Sequence, residues 1–356
     1  MYCIKILKVL QQFIQNIRYF KFVLKFNYMK VATIENNKII IKNIENIKLG
    51  ENKGAIVRVL GCGLCGSDIV KFIHKIAPNG TVLGHEIVAK IVEISSNTNF
   101  KAGDTIVTSH HIPCGKCVYC RHGNVSMCEH FKKTNIIPGG FSEYVYLSEE
   151  HLQNVAHLKP EHLSNIEASF YEPLGCIVRA VKRANLLVND KALVVGLGSI
   201  GILMAQTLKA FGMDVTGCDL LPERIEYLKT LGINAVREIP KDFQADGVFM
   251  TSGADKAIDT ALKYVRNGGK ILVFSSTPSD TSAYPNNEIY YRELTVLGSY
   301  SPSPQDLKDS LELLKEGKVK VKGISTEYDL ENIQQAFEDT MANKIMKAYI
   351  KVNSER

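Results

Sequence analysis

The sequence predicts an α/β protein with two domains, a β-rich barrel or sandwich and a doubly wound parallel sheet. Three observations lead to this fold class. The chain has 356 residues, which is too long for one ordinary core and suits about two domains. Short apolar runs broken by Gly, Asn and Pro fill residues 29–150, and such runs are typical of barrel or sandwich strands. From about residue 165, strand-like and helical segments alternate, which indicates parallel βαβ units.

The elements of the first domain are predicted in two parts of the chain. Residues 29–44, MKVATIENNKIIIKNI, predict a pair of strands, and the strand-like runs GAIVRVLG, TVLGHEIVAKIVEI, DTIVTSH and GGFSEYVYL follow. After about residue 320, ISTEYDL and KAYIKV have strand character again, around the helical segment LENIQQAFEDTMANK. We therefore expect the C-terminus to fold back, so that this domain covers 29–175 plus 320–356. Residues 1–28 are an extension to which we assign no function.

The second domain is expected over residues 176–319. The helical segment IEASFYEPLGCIVRAVKRANL leads into it. Strands are predicted for KALVVGLGSIG, DVTGCDL, DGVFMTSG, KILVFSS and ELTVLGSY, and helices for ILMAQTLKAFG, PERIEYLKTLG and KAIDTALKYVRNGG. Glycine closes the first two helices, which is typical of a helix C-terminus. This alternation predicts a parallel sheet with helices on its faces.

Composition excludes several classes of protein. Apolar residues make up 45% of the chain, which is typical of a soluble globular protein rather than a disordered chain or a membrane bundle. The net charge of +6 comes from the first 30 residues, which are basic and contain no acid, so no nucleic-acid partner is expected. Charges interrupt that segment too often for a membrane span. Because no export signal follows, we expect a cytoplasmic protein.

Four of the nine cysteines lie in one short loop, at Cys114, Cys117, Cys120 and Cys128. In a reducing compartment, clustered cysteines are metal ligands rather than disulfides. Four thiolates match a closed tetrahedral zinc site. An iron–sulfur cluster fits less well, because the fourth cysteine follows after seven residues and precedes Glu129 rather than proline. A zinc ion with four thiolates has no open position for substrate, so we expect it to be structural.

The stretch VVGLGSIG contains a G-x-G-x-x-G motif that follows an apolar strand and opens a helix. Such a turn binds the pyrophosphate of a dinucleotide at the helix N-terminus. An acid that ends the next strand is expected to bond the ribose hydroxyls, and its charge favours NAD over NADP, although a nearby arginine partly offsets that charge. The expected cofactor-binding residues are Gly196, Gly198, Ser199, Ile200, Gly201, Asp219 and Arg224.

A second metal site is expected to carry the chemistry. GCGLCGSD supplies Cys65, VLGHE supplies His85 and Glu86, and YEPLGC supplies Glu172. One cysteine, one histidine and one carboxylate leave the fourth position of a zinc ion for water or an alcohol. Spacing alone, however, favours ordinary core positions for Cys65 and His85.

Taken together, these motifs resemble the zinc-dependent medium-chain dehydrogenases. GCGLCGSD, GHE, the four-cysteine loop, GGFSEYV, YEPLG and GLGSIG occur in the order seen in that family. The resemblance runs from about residue 29 to the end of the chain. The EP of YEPLG resembles the sorbitol and threonine dehydrogenase branch. The stretch RELTVLGSYSPSPQDLKDSLELL resembles bacterial members that act on sugar alcohols, sugar acids or cyclitols.

The resemblance implies a GroES-like barrel, a Rossmann domain and an active-site cleft between them. It implies two zinc ions per chain, one structural and one catalytic, the latter bound by Cys65, His85 and a carboxylate, for which Glu86 and Glu172 both stay open. Ser67 would pass the hydroxyl proton toward solvent, and Asp68 would orient His85. The remaining candidates are minor: Cys176 as a ligand, His74 at the end of the proton path, and surface roles for His110, His111, His122 and His130.

The expected activity is therefore the transfer of a hydride between the secondary hydroxyl of a polyol, sugar alcohol, sugar acid or cyclitol and NAD. A simple alcohol or threonine dehydrogenase is an alternative. A zinc-free reductase and a non-catalytic nucleotide-binding protein of the same fold are others. Expected partners are the small-molecule alcohol or polyol and a second copy of the chain, in a homodimer or homotetramer that joins through ELTVLGSY as an edge strand. No membrane partner is expected.

Overall fold

The computed structural model describes residues 27–254, 257–275 and 285–354. The proposed extension therefore lies almost entirely outside the described residues. Its last residue, Tyr28, begins the first strand. No helix among the described residues has both the length and the apolar character that a membrane crossing requires.

The fold contains fifteen strands among the described residues. They are β1 Tyr28–Glu35, β2 Lys38–Glu45, β3 Gly54–Gly63, β4 Glu86–Ser95, β5 Thr105–Thr108, β6 Tyr144–Ser148, β7 Ala156–Leu158, β8 Lys191–Val195, β9 Asp214–Cys218, β10 Asn234–Val236, β11 Ala245–Met250, β12 Val265–Val273, β13 Thr295–Gly298, β14 Ser325–Asp329 and β15 Lys347–Lys351.

Twelve α-helices connect these strands among the described residues. They are α1 Gly66–Ile73, α2 Val118–Arg121, α3 Glu129–Lys133, α4 Glu149–Asn154, α5 Asn165–Ala168, α6 Tyr171–Ala184, α7 Ser199–Ala210, α8 Pro222–Thr230, α9 Ala257–Tyr264, α10 Asn286–Tyr291, α11 Pro304–Lys315 and α12 Ile333–Met341. Short 3₁₀ turns lie at Val125–Met127 and Leu330–Asn332.

The first sheet joins strands from both ends of the chain. Its order is β14-β15-β3-β4-β5-β7, and β6 also pairs with β3. Strand β15 runs antiparallel to β3, with Ile350 opposite Cys62. The predicted return of the C-terminus to the first set of strands is therefore present. Helix α12 packs Phe337 against Phe72 and Phe141, with ring centroids 5.3 and 6.3 Å apart, and this contact closes one side of the sheet.

The second sheet is parallel throughout, in the order β10-β9-β8-β11-β12-β13. This is the strand order of the doubly wound dinucleotide-binding fold, in which the order of the strands across the sheet reverses between β8 and β11. The crevice at the carboxyl ends of these two strands is where such folds bind ligands. Strand β13 lies at one edge of the sheet, as the sequence predicted.

Most predicted helices form close to their expected bounds, but the one predicted through VRNGG ends early. Helix α9 stops at Tyr264, and β12 begins at Val265. Gly268 has a φ of +72°, which a right-handed helix does not accept. By contrast, Gly212 and Gly232 follow the ends of α7 and α8 with φ of +90° and +70°, as helix-closing glycines do.

Helix α6 contacts both sheets, through β4 and β5 on one side and β12 on the other. It also packs along α7 and α11. Eleven of its fourteen residues are buried, among them the polar residues Glu172 and Arg179. The helix therefore carries polar groups into the space where the two sheets meet.

Candidate active site

Three of the predicted metal ligands converge near the start of β4. One ligand atom each from Cys65, His85 and Glu86 lies within 4.8 Å of the other two. Cys65 follows β3 as the residue that caps α1, and His85 and Glu86 lie where the chain enters β4. Because β3 and β4 are antiparallel neighbours, the end of one strand meets the start of the next. The pairing of two strands thus brings together residues that are distant in the sequence.

Asp68 holds two of these ligands in place. Its Oδ2 accepts a hydrogen bond from the Cys65 backbone N–H at 3.3 Å, and its Oδ1 lies 3.4 Å from Nδ1 of His85. Oδ1 also accepts from the Gly84 backbone N–H at 3.5 Å. A histidine whose Nδ1 faces a carboxylate presents Nε2 to a metal. Asp68 therefore lies beside His85, the residue that the sequence analysis expects it to orient.

Glu86 is a buried carboxylate that forms an ion pair with Lys347. Oε2 lies 2.6 Å from Nζ of Lys347, and both side chains are at most 6% exposed. Lys347 also donates to the Leu64 carbonyl at 3.2 Å. Both carboxylate oxygens of Glu86 are buried, and neither accepts a hydrogen bond of good geometry from the described residues, so Lys347 offsets the charge without fully satisfying the carboxylate. A buried carboxylate oxygen without a partner is costly, and a zinc ion beside Cys65 and His85 would satisfy it. This donor set fits zinc.

Glu172, the other predicted carboxylate, is buried on the first turn of α6 but is not part of the group that Cys65, His85 and Glu86 form. Its Oε1 accepts from Sγ of Cys176 at 3.6 Å. Burial, together with a smaller effect of the charge of Glu86, raises the pKa of the Glu172 carboxyl to about 7. Glu172 therefore lies near the three donors without joining them.

The four cysteines of the predicted structural site also converge. One sulfur from each of them lies within 4.8 Å of the other three. Sγ of Cys117 is 3.6 Å from Sγ of Cys120, which is 4.0 Å from Sγ of Cys114. Tetrahedral zinc–sulfur bonds of about 2.3 Å place sulfurs about 3.8 Å apart, whereas a disulfide bond is about 2.05 Å long. The geometry fits one zinc ion and excludes a disulfide.

Local backbone contacts support this loop. N–H groups of Lys116 and Cys117 lower the pKa of the Cys114 thiol, and the thiolate is the form that binds metal. Arg179 of helix α6 donates through Nη2 to the Gly123 carbonyl at 2.6 Å and through Nη1 to the Ser301 carbonyl at 3.1 Å. The cysteine loop is thus fastened to the helix that carries Glu172.

The glycine-rich turn follows β8 and opens α7. Gly196 has a φ of +95°, a conformation that other residues rarely adopt. A Cβ on Gly201 would lie 1.8 Å from the Gly196 carbonyl oxygen, whereas a Cβ on Gly198 would meet nothing within 4 Å. Gly198 caps the helix, and Ser199 and Ile200 form its half-buried first turn. The turn therefore leaves open space at Gly198, where a pyrophosphate would approach.

Asp219 lies just after β9 and faces this turn. Its Oδ2 accepts from the Leu197 backbone N–H at 2.5 Å, and its Oδ1 accepts from that of Leu221 at 2.9 Å. Nη1 of Arg224 lies 3.6 Å from Oδ2, and both side chains are mostly buried. Asp219 is thus fixed beside the glycine turn with an arginine next to it, which are the two opposing charges that the sequence predicted there.

Other predicted residues lie apart from these groups. Ser67 is exposed on the first turn of α1, and His74 is exposed at its end. Cys176 contacts Glu172 but is not part of the ligand group. His122 is exposed, and His130 pairs with Glu150 at 2.8 Å.

The prediction of surface roles for His110 and His111 is wrong. The His110 ring lies 4.4 Å from the His85 ring, and the His111 ring lies 3.8 Å from the His110 ring. Both residues are partly buried. Burial, with His85 and His111 nearby, lowers the pKa of His110. Because His110 and His111 precede the cysteine loop in the sequence, a surface position beside that loop was predicted for both. The pairing of β4 with β5 brings His110 to His85 instead.

Sequence reasoning also missed two residues that support the site. Thr251 follows β11 and donates through Oγ1 to the Gly196 carbonyl at 2.7 Å, which supports the glycine turn from the neighbouring strand. Its position at the carboxyl end of a parallel strand was an available signal. Lys347, the partner of Glu86, gave no such signal, because a lysine in a terminal strand is ordinarily exposed.

Comparison with known proteins agrees with this geometry. The family described as "Alcohol dehydrogenase GroES-like domain" matches residues 51–157, and the one described as "Zinc-binding dehydrogenase" matches residues 199–316. D-arabitol-phosphate dehydrogenase from Enterococcus avium is 30% identical over 322 residues, which cover 84% of this chain and 90% of the relative. Sorbitol dehydrogenase from Halalkalibacterium halodurans is 30% identical over 314 residues, 83% of this chain and 90% of the relative.

The crystal structure of an oxidoreductase of unknown specificity from Escherichia coli has a TM-score of 0.81 to this chain, with 26% identity. The match covers 92% of this chain and 100% of the other. A GroES-like domain, a Rossmann-type sheet and these ligand groups define a zinc-type dehydrogenase that acts on CH–OH groups. The chain belongs to the zinc-binding alcohol dehydrogenase family, and the predicted fold class is confirmed.

The two ligand groups predict different effects of losing a cysteine. Cys117→Ser is expected to remove one zinc ion per chain and to lower the thermal midpoint by roughly 5 °C or more, because the loop loses its cross-link. Cys65→Ser is expected to remove one zinc ion and turnover, with a smaller change in midpoint. Zinc content by mass spectrometry and thermal unfolding test both variants against Cys218→Ser. Equal zinc content in all three variants would contradict the assignment.

The glycine turn predicts two separable defects. Gly201→Ala is expected to destabilise the fold, because its Cβ would overlap the Gly196 carbonyl. Gly198→Ala is expected to fold normally, since nothing lies near its Cβ, but to bind a dinucleotide at least about tenfold more weakly, because the methyl group occupies the pyrophosphate approach. Urea unfolding and fluorescence titration with the reduced cofactor measure the two effects. Unchanged cofactor affinity in Gly198→Ala would place the pyrophosphate elsewhere.

Proposed function

We propose that this chain oxidises the secondary hydroxyl of a polyol, a sugar alcohol, a sugar acid or a cyclitol and transfers the hydride to NAD. The observation that carries the proposal is the convergence of Cys65, His85 and Glu86, with an unpartnered oxygen on Glu86. Relatives that are named for arabitol phosphate and sorbitol support a polyol rather than a simple alcohol.

Each residue of the proposed site has a distinct role. Cys65, His85 and Glu86 would hold the catalytic zinc, and Asp68 would keep Nε2 of His85 directed at it. We assign the third ligand to Glu86 rather than Glu172, because only the Glu86 carboxylate lies within reach of both other donors among the described residues. Glu172 would then lie beside the zinc without being one of its ligands.

When bound, zinc supplies Lewis-acid polarisation of the substrate hydroxyl, and NAD supplies the hydride acceptor. Three protein ligands leave one zinc position for that hydroxyl. Ser67 lies two residues after Cys65 on the exposed turn of α1, and we propose that it accepts the hydroxyl proton and passes it toward solvent. The structural zinc would be held by Cys114, Cys117, Cys120 and Cys128, which leave no open position.

We propose NAD rather than NADP because Asp219 lies beside the glycine turn. A carboxylate there bonds the ribose hydroxyls and repels a 2′-phosphate. Arg224 offsets part of this charge, but Asp219 keeps its two backbone N–H bonds and therefore its position. The pyrophosphate would lie on the turn from Gly196 to Gly201, at the N-terminus of α7.

We also propose that the chain forms a homodimer or homotetramer in the cytoplasm. Strand β13 lies at the edge of the parallel sheet, and an open edge is a ready surface for pairing with a second copy. The division into a catalytic domain of residues 29–175 with 320–356 and a nucleotide-binding domain of residues 176–319 belongs to the same proposal.

The activity is tested by NADH absorbance across a panel of polyols, sugar acids, cyclitols, threonine and simple alcohols. We expect turnover on at least one polyol with NAD, a loss of turnover after zinc is removed by a chelator, and recovery when zinc returns. Full turnover in protein shown to contain no zinc would refute the metal mechanism. Dinucleotide binding without turnover on the whole panel would favour a non-catalytic role.

Asp219→Asn is expected to shift cofactor preference toward NADP. The change keeps the size of the side chain but removes the charge that repels a 2′-phosphate, and it leaves Arg224 free to bind one. The ratio of kcat/KM for NAD to that for NADP is expected to fall by about tenfold or more, since tenfold corresponds to about 1.4 kcal/mol. Asp214→Asn, at the exposed start of the same strand, is the matched control. An unchanged ratio in Asp219→Asn would leave cofactor choice to other residues.

A further inference from the structure

His110 has an imidazole whose nitrogens are unused although the residue lies against the metal-ligand group. Its ring centroid is 4.4 Å from that of His85, at an interplanar angle of 41°. Nδ1 is buried and has no hydrogen-bond partner among the described residues. Nε2 has no hydrogen-bond partner in that part of the chain either, and the residue as a whole is partly exposed. Both nitrogens of the ring are therefore unpaired within the described part of the protein.

The neighbouring histidines use their nitrogens. Nδ1 of His85 faces Asp68. Nδ1 of His111 bonds the Thr134 carbonyl. His151 bonds Oγ of Ser148 through Nδ1 at 2.8 Å and the His110 carbonyl through Nε2 at 3.1 Å. Buried polar atoms in folded proteins are almost always hydrogen-bonded, and an exception calls for a reason. A histidine that is free among bonded neighbours indicates a partner that arrives with the substrate.

The position of His110 is fixed by its surroundings. The bond from His151 to its carbonyl holds the backbone, and the rings of His85 and His111 hold the imidazole from two sides. The ring is thus set beside the reacting position before a substrate binds. A polar group held in this way distinguishes substrates by the hydroxyl that it meets.

We propose that His110 is a specificity-determining residue, which hydrogen-bonds the hydroxyl on the carbon next to the one that is oxidised. This inference rests on the proposed function and deepens it. A neutral imidazole offers one N–H donor and one acceptor nitrogen, and a hydroxyl both donates and accepts. Vicinal diols are therefore the substrate class, and an alcohol without the second hydroxyl leaves His110 unpaired in the complex. The cost of that unpaired group provides the discrimination.

The test compares two substrates that differ by one hydroxyl, butane-2,3-diol and butan-2-ol. The zinc-loaded enzyme is expected to prefer the diol in kcat/KM. His110→Phe keeps an aromatic ring against His85 but has no nitrogen, so the ratio of diol to mono-ol kcat/KM is expected to fall at least about tenfold. His110→Asn, which keeps a donor and an acceptor, is expected to restore part of that ratio. An unchanged ratio in His110→Phe would overturn the proposal.

His111→Phe is the matched control, because it changes the next ring of the same stack, whose Nδ1 already has a partner. It is expected to lower activity on the two substrates by similar factors. If His110→Phe also lowers both by similar factors, His110 is only structural and the proposal fails. If the wild type has equal kcat/KM for butan-2-ol and for the diol, the specificity inference fails and the proposed function stands. No turnover by the wild type on any alcohol would overturn both.

A binding measurement on the wild type keeps the proposal open to refutation should a variant not fold. With NADH bound, an alcohol cannot react, so fluorescence titration gives the dissociation constants of the diol and the mono-ol. The diol is expected to bind at least about tenfold more tightly. Equal dissociation constants would overturn the role of His110 without any reference to turnover.

Discussion

The buried ion pair between Glu86 and Lys347 is the constraint on which the rest of the site depends. Both side chains are at most 6% exposed, and charges buried so deeply are stable only when paired. The pair requires β15 to lie next to β3 and therefore close to β4, so the last strand of the chain is a structural part of the first sheet. Lys347 offsets the charge of Glu86, but neither carboxylate oxygen has a hydrogen bond among the described residues, so the carboxylate keeps the capacity to bind a metal ion.

The glycine-rich turn after β8 depends on close contact between backbone groups. Gly201 packs so tightly against the Gly196 carbonyl that a Cβ would not fit, and Thr251 holds that carbonyl from the next strand. Asp219 then bonds the Leu197 N–H within the same turn. Three neighbouring strands thus fix one short turn, and the turn is shaped before any cofactor is bound. Such preorganisation lowers the cost of binding, because the protein orders little when the ligand arrives.

Much of this arrangement could be predicted from the sequence, because its motifs are local. Gly196, Gly198 and Gly201 lie in one turn between a strand and a helix, and the four cysteines lie in one loop. The predictions that failed concern contacts between strands that are far apart in the sequence. His110 was expected at the surface because its neighbours in sequence belong to the cysteine loop, yet β5 carries it to His85. The contact between Lys347 and Glu86 was not predicted for the same reason, because it depends on the pairing of β15 with β3. The choice between Glu86 and Glu172 likewise required the distances between side chains, which spacing cannot supply.

The two ligand groups are physically coupled through helix α6. Near its start the helix brings Glu172 and Cys176 close to the group of Cys65, His85 and Glu86. One turn beyond Cys176 it bonds the Gly123 carbonyl of the cysteine loop through Arg179. Arg179 is buried and bonds carbonyl groups on two segments, so it holds the loop and the segment after β13 to one rigid element. If the loop loosens, Arg179 loses a partner while it remains buried, and the cost falls on the helix that carries Glu172. A zinc ion in the cysteine loop would therefore support the chemistry without taking part in it, because it would keep the middle of this helix in place.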